Sequence, residues 1–260
     1  PQQIDVGICQ CRAFWGADGL VYGHGLRLPE KGESERPVDM TKDFVNWSFD
    51  PRTGKATVLK LSGDVSILDR SPDGKAFLVL KYEIPHVGSN YRLGLLPADG
   101  GDLVWLSKPG ESTPSEWRFS PDGQSLLGSM YRVAGGDLFP ELVVIDLKSK
   151  TRSAVTVPKE ARVSGSCWSP DSKRLAYIWE SEAAYQERTN RFGPANPERE
   201  KKPVYTVTVA KPDGSDAKNV FTEADYFYGS IDWVLVNDGK KENAMEKLSP
   251  EKEPFTAWGK

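Results

Sequence analysis

The sequence predicts an all-β chain built from repeated four-stranded antiparallel units, and two observations support this prediction. A turn tetrapeptide recurs at a constant interval of 49 residues: Ser71-Pro72-Asp73-Gly74, Ser120-Pro121-Asp122-Gly123 and Ser169-Pro170-Asp171-Ser172. In addition, the 260 residues include 8 Trp, 9 Tyr, 10 Phe, 24 Gly and 19 Pro. Aromatic residues favour strands, whereas glycine and proline favour the tight turns that join them.

The tetrapeptide has the residues that a type I turn prefers. Serine suits the first position, proline at the second already has φ at about −65°, and glycine suits the fourth. The aspartates Asp73, Asp122 and Asp171 can accept hydrogen bonds from nearby backbone amides and so hold each hairpin together. Looser copies of the motif place Asp18 and Asp238 in the same role. We therefore predict structural turns at these five aspartates.

Each repeat predicts the same order of strand, tight turn, strand, longer connection, strand, tight turn and strand. Strands after the tetrapeptides are predicted at 76–81, 125–131 and 174–179, and outer hairpins at 44–61, 91–106, 142–157 and 205–221. Four antiparallel strands in about 40–50 residues is the period of a β-propeller blade. We expect one propeller over residues 1–240 and a polar tail over 241–260. The blades are expected at about 6–61, 62–109, 110–159 and 160–224, with a closing strand at 229–236.

Two of the turns resemble a known repeat family. Trp168-Ser169-Pro170-Asp171-Ser172-Lys173 and Phe119-Ser120-Pro121-Asp122-Gly123-Gln124 are similar to the W-S-P-D-G-K turn of the WD40-like β-propeller repeat found in TolB-type proteins. The resemblance covers about residues 6–240. It implies the propeller fold and a bacterial, extracytoplasmic protein, either periplasmic or secreted, with a cytoplasmic location as the alternative. It implies little about activity, because the turns are structural and the fold hosts unrelated functions.

Ring closure is expected to involve both ends of the propeller. The first and last blades of a ring expose strand edges unless these are paired. Residues 4–9 and 230–236 both contain alternating apolar residues, so each can offer one apolar face. We expect the two segments to meet in a shared blade.

The longer connections between the second and third strands are the predicted binding face. They lie at 29–42, 83–90, 132–139 and 181–202 and vary in length and composition. Arginine and aromatic residues are over-represented at interfaces. The candidate binding residues are His86, Asn90, Tyr91, Arg132, Tyr185, Arg188, Arg191, Phe192, Tyr226 and Tyr228. A solvated excursion is the alternative for 181–202, and packing between blades is the alternative for Tyr226 and Tyr228.

No motif in the sequence predicts catalysis, a metal or a cofactor. The G-x-S-x-G elbow, the phosphate loop, the dinucleotide fingerprint and the H-E-x-x-H motif do not occur. The three cysteines, Cys9, Cys11 and Cys167, lack the spacing of zinc ligands and are expected to be buried thiols. The glycosylation sequon Asn46-Trp47-Ser48 falls within a predicted strand, so we interpret it as coincidental.

Charge and hydropathy exclude two partner classes. The chain has 34 basic and 37 acidic residues and a net charge of −3, which gives no electrostatic basis for nucleic-acid binding. No apolar run approaches the roughly 20 residues of a membrane-spanning helix.

Three functions remain open from the sequence. The first is a non-enzymatic scaffold that presents its loop face to a protein partner. The second is an enzyme, or a small-ligand or carbohydrate binder, that uses the central channel, with Glu83, Asp137 and Glu180 as candidate carboxylates. The third is a sensor or accessory domain of a larger protein, and the sequence favours the first.

Overall fold

The computed structural model shows four four-stranded antiparallel sheets arranged in chain order. It describes residues 8–27, 44–61, 64–82, 91–109, 111, 116–134, 137–159, 161–181, 183 and 205–223. The first sheet contains β1 (Ile8–Trp15), β2 (Val21–Arg27), β3 (Phe44–Asp50) and β4 (Lys55–Val58). The second contains β5 (Val65–Arg70), β6 (Ala76–Tyr82), β7 (Tyr91–Pro97) and β8 (Val104–Trp105).

The other two sheets repeat this order. The third contains β9 (Arg118–Phe119), β10 (Ser125–Ala134), β11 (Asp137–Asp146) and β12 (Arg152–Ala154). The fourth contains β13 (Ala161–Trp168), β14 (Leu175–Ser181), β15 (Tyr205–Ala210) and β16 (Lys218–Glu223). Each strand pairs only with its neighbours in sequence within its sheet, which is the meander of a propeller blade. The predicted all-β propeller architecture is therefore confirmed, and strand rather than helix covers β10 and β11.

One expectation about an individual segment was wrong. Residues 132–139 were expected to form a loop, but β10 and β11 pair continuously from Ser125 opposite Asp146 to Ala134 opposite Asp137. Of the N-terminal segment expected to meet the C-terminal strand, Ile8 and Cys9 belong to β1 and pair with Arg27 and Leu26 of the first sheet, and the shared blade stays a prediction. The closing strand at 229–236, the turn at Asp238 and the tail lie outside the described residues, so the blade and domain limits remain predictions.

Each turn tetrapeptide forms the same hydrogen-bonded unit. In the second sheet, Ser71 Oγ donates to Asp73 Oδ1 at 2.7 Å, and that oxygen also accepts from the Lys75 N–H at 3.1 Å. The Gly74 N–H closes the turn on the Ser71 carbonyl at 2.8 Å. The side-chain hydrogen bond from Ser71, followed by that from the Lys75 amide, lowers the pKa of Asp73. Equivalent bonds join Ser120 to Asp122 and Ser169 to Asp171.

Neighbouring turns also contact one another. Arg70, just before the second turn, bonds to Asp18 of the first turn, and a Cβ added to Gly123 of the third turn would lie 3.4 Å from Pro72 of the second. The Asp122 N–H donates to Ser172 Oγ of the fourth turn at 3.0 Å. The turns therefore form a continuous row at one end of the sheets, which we call the turn end. The opposite end, where β2, β6, β10 and β14 finish, is the loop end.

We expect Asp122→Ala to lower the free energy of unfolding by about 1 kcal/mol, because the turn loses an acceptor for Ser120 Oγ and for the Gln124 N–H. The matched control is Asp122→Asn, whose amide oxygen can still accept both bonds and which should unfold close to the native protein. Urea denaturation followed by circular dichroism measures the difference. Equal midpoints for the alanine variant and the native protein would contradict this role for Asp122.

Buried polar groups connect the consecutive sheets. Asn46 of β3 is 2% exposed; its Nδ2 donates to the Val65 carbonyl at 2.7 Å and its Oδ1 accepts from the Ile67 N–H at 3.0 Å. Both the donor and the acceptor of the Asn46 side-chain amide therefore form hydrogen bonds from the first sheet to the second. This burial agrees with the interpretation of the sequon as coincidental, because glycosylation needs an accessible asparagine.

Apolar clusters fill the spaces between the sheets. The cluster between the second and third sheets includes Leu78, Leu93, Trp117 and Leu126, each fully buried. The Trp117 side chain lies against Gly128 of β10, where an added Cβ would clash with the indole ring. Separate clusters pack the first sheet against the second and the third against the fourth. Cys167, the one cysteine whose side chain the structure describes, is buried and is not part of a disulfide.

Candidate functional site

The loop end carries the connections that the sequence predicts as a binding face. Two candidate residues fall within the described strands: Tyr91 begins β7 on the second sheet, and Arg132 lies in β10 on the third. The remaining candidates lie outside the described residues, namely His86, Asn90, Tyr185, Arg188, Arg191, Phe192, Tyr226 and Tyr228. Tyr91 is half-buried and packs against the cluster between the second and third sheets.

Arg92, the residue after Tyr91, is held by a ring contact and two hydrogen bonds at the outer edge of the second sheet. The Arg92 guanidinium lies 3.9 Å from the centre of the Trp105 ring, a cation–π distance. Its Nη2 and Nε also donate to the Ser107 carbonyl at 3.1 and 3.3 Å. Ser107 Oγ in turn accepts from the Leu93 N–H at 2.8 Å. This end of β7 is therefore a rigid base for the connection that precedes it.

The β10–β11 hairpin is the most prominent described feature of the loop end. Each of its strands has 10 residues, whereas the middle strands of the other sheets have 6 or 7. At roughly 3.3 Å per residue, three additional residues extend the hairpin by about 10 Å. Arg132 lies opposite Phe139 in this extension. Sequence reasoning missed the hairpin because Pro140 and Gly135-Gly136 are typical of loops.

Of the three candidate carboxylates for the central-channel hypothesis, the structure describes the side chain of Glu180 alone. Glu180 is 1% exposed in β14 and lies opposite Arg162 of β13 and Tyr205 of β15. Side chains opposite each other on antiparallel strands share one face of the sheet, so the carboxylate has an arginine and a tyrosine as neighbours. Asp137 belongs to β11, and Glu83 lies outside the described residues. Within the described part of the chain, no three His, Cys, Asp or Glu residues are grouped to hold a metal ion.

A groove of about 570 Å³ separates the outer edges of the first and second sheets. Its apolar lining includes Leu59, Leu61, Val65, Phe77, Leu96 and Leu103. Charged residues at the groove include Lys60, Asp99 and Lys81, and Lys81 pairs with Asp64 at 3.3 Å. The groove can bury apolar surface. Its lining contains no histidine, cysteine or serine that could act as a nucleophile or as the base that activates one.

One strongly perturbed carboxyl group lies between the sheets, away from the loop end. Asp69 of β5 is 9% exposed; its Oδ1 accepts from the Arg70 N–H and its Oδ2 from the Phe119 N–H of the third sheet, both at 2.8 Å. Burial raises the pKa of Asp69 to about 6, although Arg118 and the two amides favour the charged form. Its contacts are with backbone amides of adjacent sheets, which indicates a role in packing.

Comparisons with known proteins bear on the fold. No family model and no curated protein matches the sequence. Among solved structures, TolB from Acinetobacter baumannii is 15% identical with a TM-score of 0.48, over 82% of this chain and 43% of that chain. The chain resembles TolB-type β-propellers. It also resembles the Swd1 β-propeller domain of Myceliophteria thermophila, at 11% identity and a TM-score of 0.47, over 86% of this chain and 58% of that chain.

An enzyme is also among the similar structures. Oligogalacturonate lyase from Vibrio parahaemolyticus is 14% identical with a TM-score of 0.43, over 70% of this chain and 48% of that chain. This chain thus spans about half the length of these three proteins. At such identities the likeness concerns the fold alone, and the fold itself is established by the four sheets. In the part of the chain that the structure describes, no helix is long and apolar enough to cross a membrane.

Proposed function

We propose that the protein is a non-enzymatic β-propeller scaffold that binds a protein partner at its loop end. The observation that supports this proposal most directly is the β10–β11 hairpin, which continues about three residues past the middle strands of the other sheets. These residues are not needed to complete the sheet. A projecting hairpin that contains Tyr131, Arg132 and Phe139 has the residue types that protein interfaces use most.

In this proposal, the turn end and the loop end of each sheet have different roles. At the turn end, Asp73 and its counterparts use their side chains to hold the hairpins together. At the loop end, the connections vary in length from two residues after β10 to more than twenty after β14, and variable loops on a rigid scaffold are the usual location of binding residues. The TolB-type resemblance favours a bacterial partner outside the cytoplasm.

A photo-crosslinking experiment tests the contact surface. A benzophenone amino acid is placed at position 132 or 139, and at the exposed Lys148 in the turn-end connection after β11 as a matched control. We expect the same protein to be crosslinked from 132 and 139 in cells of the source organism, and no adduct from 148. An adduct only from 148 would contradict the proposal.

The binding step is then measured with the purified partner that crosslinking identifies. Arg132→Glu combined with Phe139→Ser should weaken the affinity by about tenfold or more, as expected for interface residues that contribute at least about 1.4 kcal/mol. Lys148→Glu should bind like the native protein. Equal affinities of all three proteins would contradict the proposed loop-end contact.

A further inference from the structure

The groove between the outer edges of the first and second sheets is open and mainly apolar. Its floor includes Val65 and Phe77, which are 5% and 6% exposed. Half-buried leucines form its sides, two from the segment after β4 and two from the second sheet: Leu59, Leu61, Leu96 and Leu103. Its volume of about 570 Å³ lies within the roughly 300–1,000 Å³ of ligand-binding clefts. The groove therefore has the size and the lining of a binding site.

A glycine of β7 shapes one side of the groove. Gly94 and Leu96 lie on the same face of β7, because alternate residues of a strand point the same way. A Cβ added to Gly94 would lie 2.9 Å from Leu103 Cδ1, so the Leu103 side chain packs directly over the glycine. A larger residue at position 94 would displace Leu103. The glycine therefore sets the position of one of the leucines that line the groove.

The two ends of the groove carry opposite charges. At the loop end lie Lys60, two residues after β4, and Lys81, near the end of β6. Lys81 pairs with Asp64 at 3.3 Å, whereas the exposed Lys60 forms no ion pair within the described part of the chain. At the turn end, the connection between β7 and β8 contributes Asp99 and Asp102. Both aspartates are exposed, and among the described residues neither has a salt-bridge partner.

The length of the groove matches a short extended peptide. Phe77, near the turn end of β6, and Lys81, near its loop end, both line the groove. Four residue steps at roughly 3.3 Å each place them about 13 Å apart. An extended segment of about five residues spans this distance, so that the residues on either side of it reach the charged ends of the groove.

We propose that this groove binds an extended peptide segment of a protein partner, which has apolar residues at alternate positions, an acidic residue at the loop end and a basic residue at the turn end. Alternate side chains of an extended chain point the same way, so one set contacts the leucines while the other faces solvent. Lys60 attracts the acidic residue, and Asp99 and Asp102 attract the basic one. The site is separate from the β10–β11 hairpin of the third sheet, so it can be tested independently of the loop-end contact.

Two other occupants match the groove less well. A lipid with one charged headgroup would pair with Lys60 alone or occupy the aspartate end alone, and its apolar chain would lie beside the other charge. A second copy of the chain would have to insert a narrow projecting segment, because the groove is concave. Opposite charges at the two ends of an apolar groove therefore favour a peptide that carries both charges.

Fluorescence polarization with the full 260-residue chain and four labelled heptapeptides tests the charge pattern. Each peptide has leucine at its second, fourth and sixth positions and threonine at its third and fifth. The two end residues are glutamate and lysine, lysine and glutamate, two glutamates or two lysines. We expect one of the two oppositely charged peptides to bind about fivefold more tightly than either like-charged peptide, the factor typical of an exposed ion pair. Equal affinities of all four peptides, or no binding by any of them, would overturn the proposal.

A charge reversal in the protein assigns the binding to the groove. Lys60→Glu should weaken binding of the preferred peptide several-fold and strengthen binding of the peptide with two lysines, because its loop end then attracts a basic residue. The matched control is Lys148→Glu on the third sheet, which should leave every affinity unchanged. Both lysines are exposed, so neither variant is expected to unfold. Unchanged affinities in Lys60→Glu would contradict the proposed site.

Two further variants separate this site from its alternatives. Leu103→Asp places a charge in the apolar lining and should weaken binding of the preferred peptide at least tenfold, with circular dichroism as the check on folding. Arg132→Glu combined with Phe139→Ser should bind the peptide like the native chain, so a failure of the loop-end contact leaves this result unaffected. Sedimentation of the native chain should show no dimer that depends on Leu103. A dimer that Leu103→Asp dissociates would assign the groove to a second copy and overturn the proposal.

Discussion

Replacing Gly128 with alanine is expected to lower the free energy of unfolding by about 1–3 kcal/mol, the range for forcing a methyl group into a closely packed core. A Cβ at this position would clash with the Trp117 ring, and Trp117 is fully buried between the second and third sheets. The indole cannot move away without disturbing Leu126 and Leu78 in the same cluster. Chemical denaturation measures the loss.

A double-mutant cycle separates the cost of this clash from any other cost of replacing Gly128. In a Trp117→Leu background, the smaller side chain leaves room at Gly128, so the further cost of Gly128→Ala should fall to a few tenths of a kcal/mol. Ala154→Gly at the exposed edge strand β12 is the control substitution. Equal costs of Gly128→Ala in the two backgrounds would contradict the clash.

The contribution of Asp69 to stability is expected to decrease as the pH rises from about 4 to about 7. The pKa of Asp69 is about 6 in the folded protein, above the ordinary value of 3.8, so the folded state binds the proton more tightly than the unfolded state does. Stability from this group is complete below pH 3.8 and is lost as the pH rises through 6. The difference of about two pKa units corresponds to a loss on the order of 3 kcal/mol.

Comparison with Asp69→Asn isolates this effect from the other carboxylates. The asparagine does not titrate, but its NH₂ group must face one of two backbone N–H donors, those of Arg70 and Phe119. We expect the variant to be less stable than the native protein at pH 4, by about 1–3 kcal/mol for an unsatisfied buried donor. The gap should narrow or reverse by pH 8. Urea denaturation of both proteins across this range measures the gap, and a constant gap would show that Asp69 does not titrate between these limits.

The repeating turn made most of the fold predictable. Its serine, proline, aspartate and glycine act through short-range hydrogen bonds and backbone preferences, so Ser71 and Asp73 predict the turn without knowledge of the rest of the chain. The strands that follow are amphipathic or wholly apolar over a few residues, which is also visible locally. The hairpin of β10 and β11 was missed because Pro140 and two glycines suggest a loop. Its ladder of cross-strand hydrogen bonds is a property of both strands together.

The candidate site was less predictable than the fold. Arg132 was selected as a loop residue because arginine is common at interfaces, yet the structure places it in a paired strand opposite Phe139. Tyr91 was selected as a candidate binding residue, and it packs against the core cluster between the second and third sheets. Whether a side chain points to solvent or to a neighbouring sheet depends on strand register, and a shift of one residue reverses it.

The sequence by itself determined the four-stranded repeat, the positions of the tight turns and the absence of recognised catalytic motifs. These depend on interactions within a few residues, which a linear pattern records. The tertiary structure decided how consecutive sheets recognise each other: Asn46 binds the backbone of β5, Asp69 binds that of β9, and Gly128 makes room for Trp117. Such contacts join residues far apart in the chain, and each depends on burial and distance. The same asparagine, aspartate or glycine would have no such role on an exposed strand.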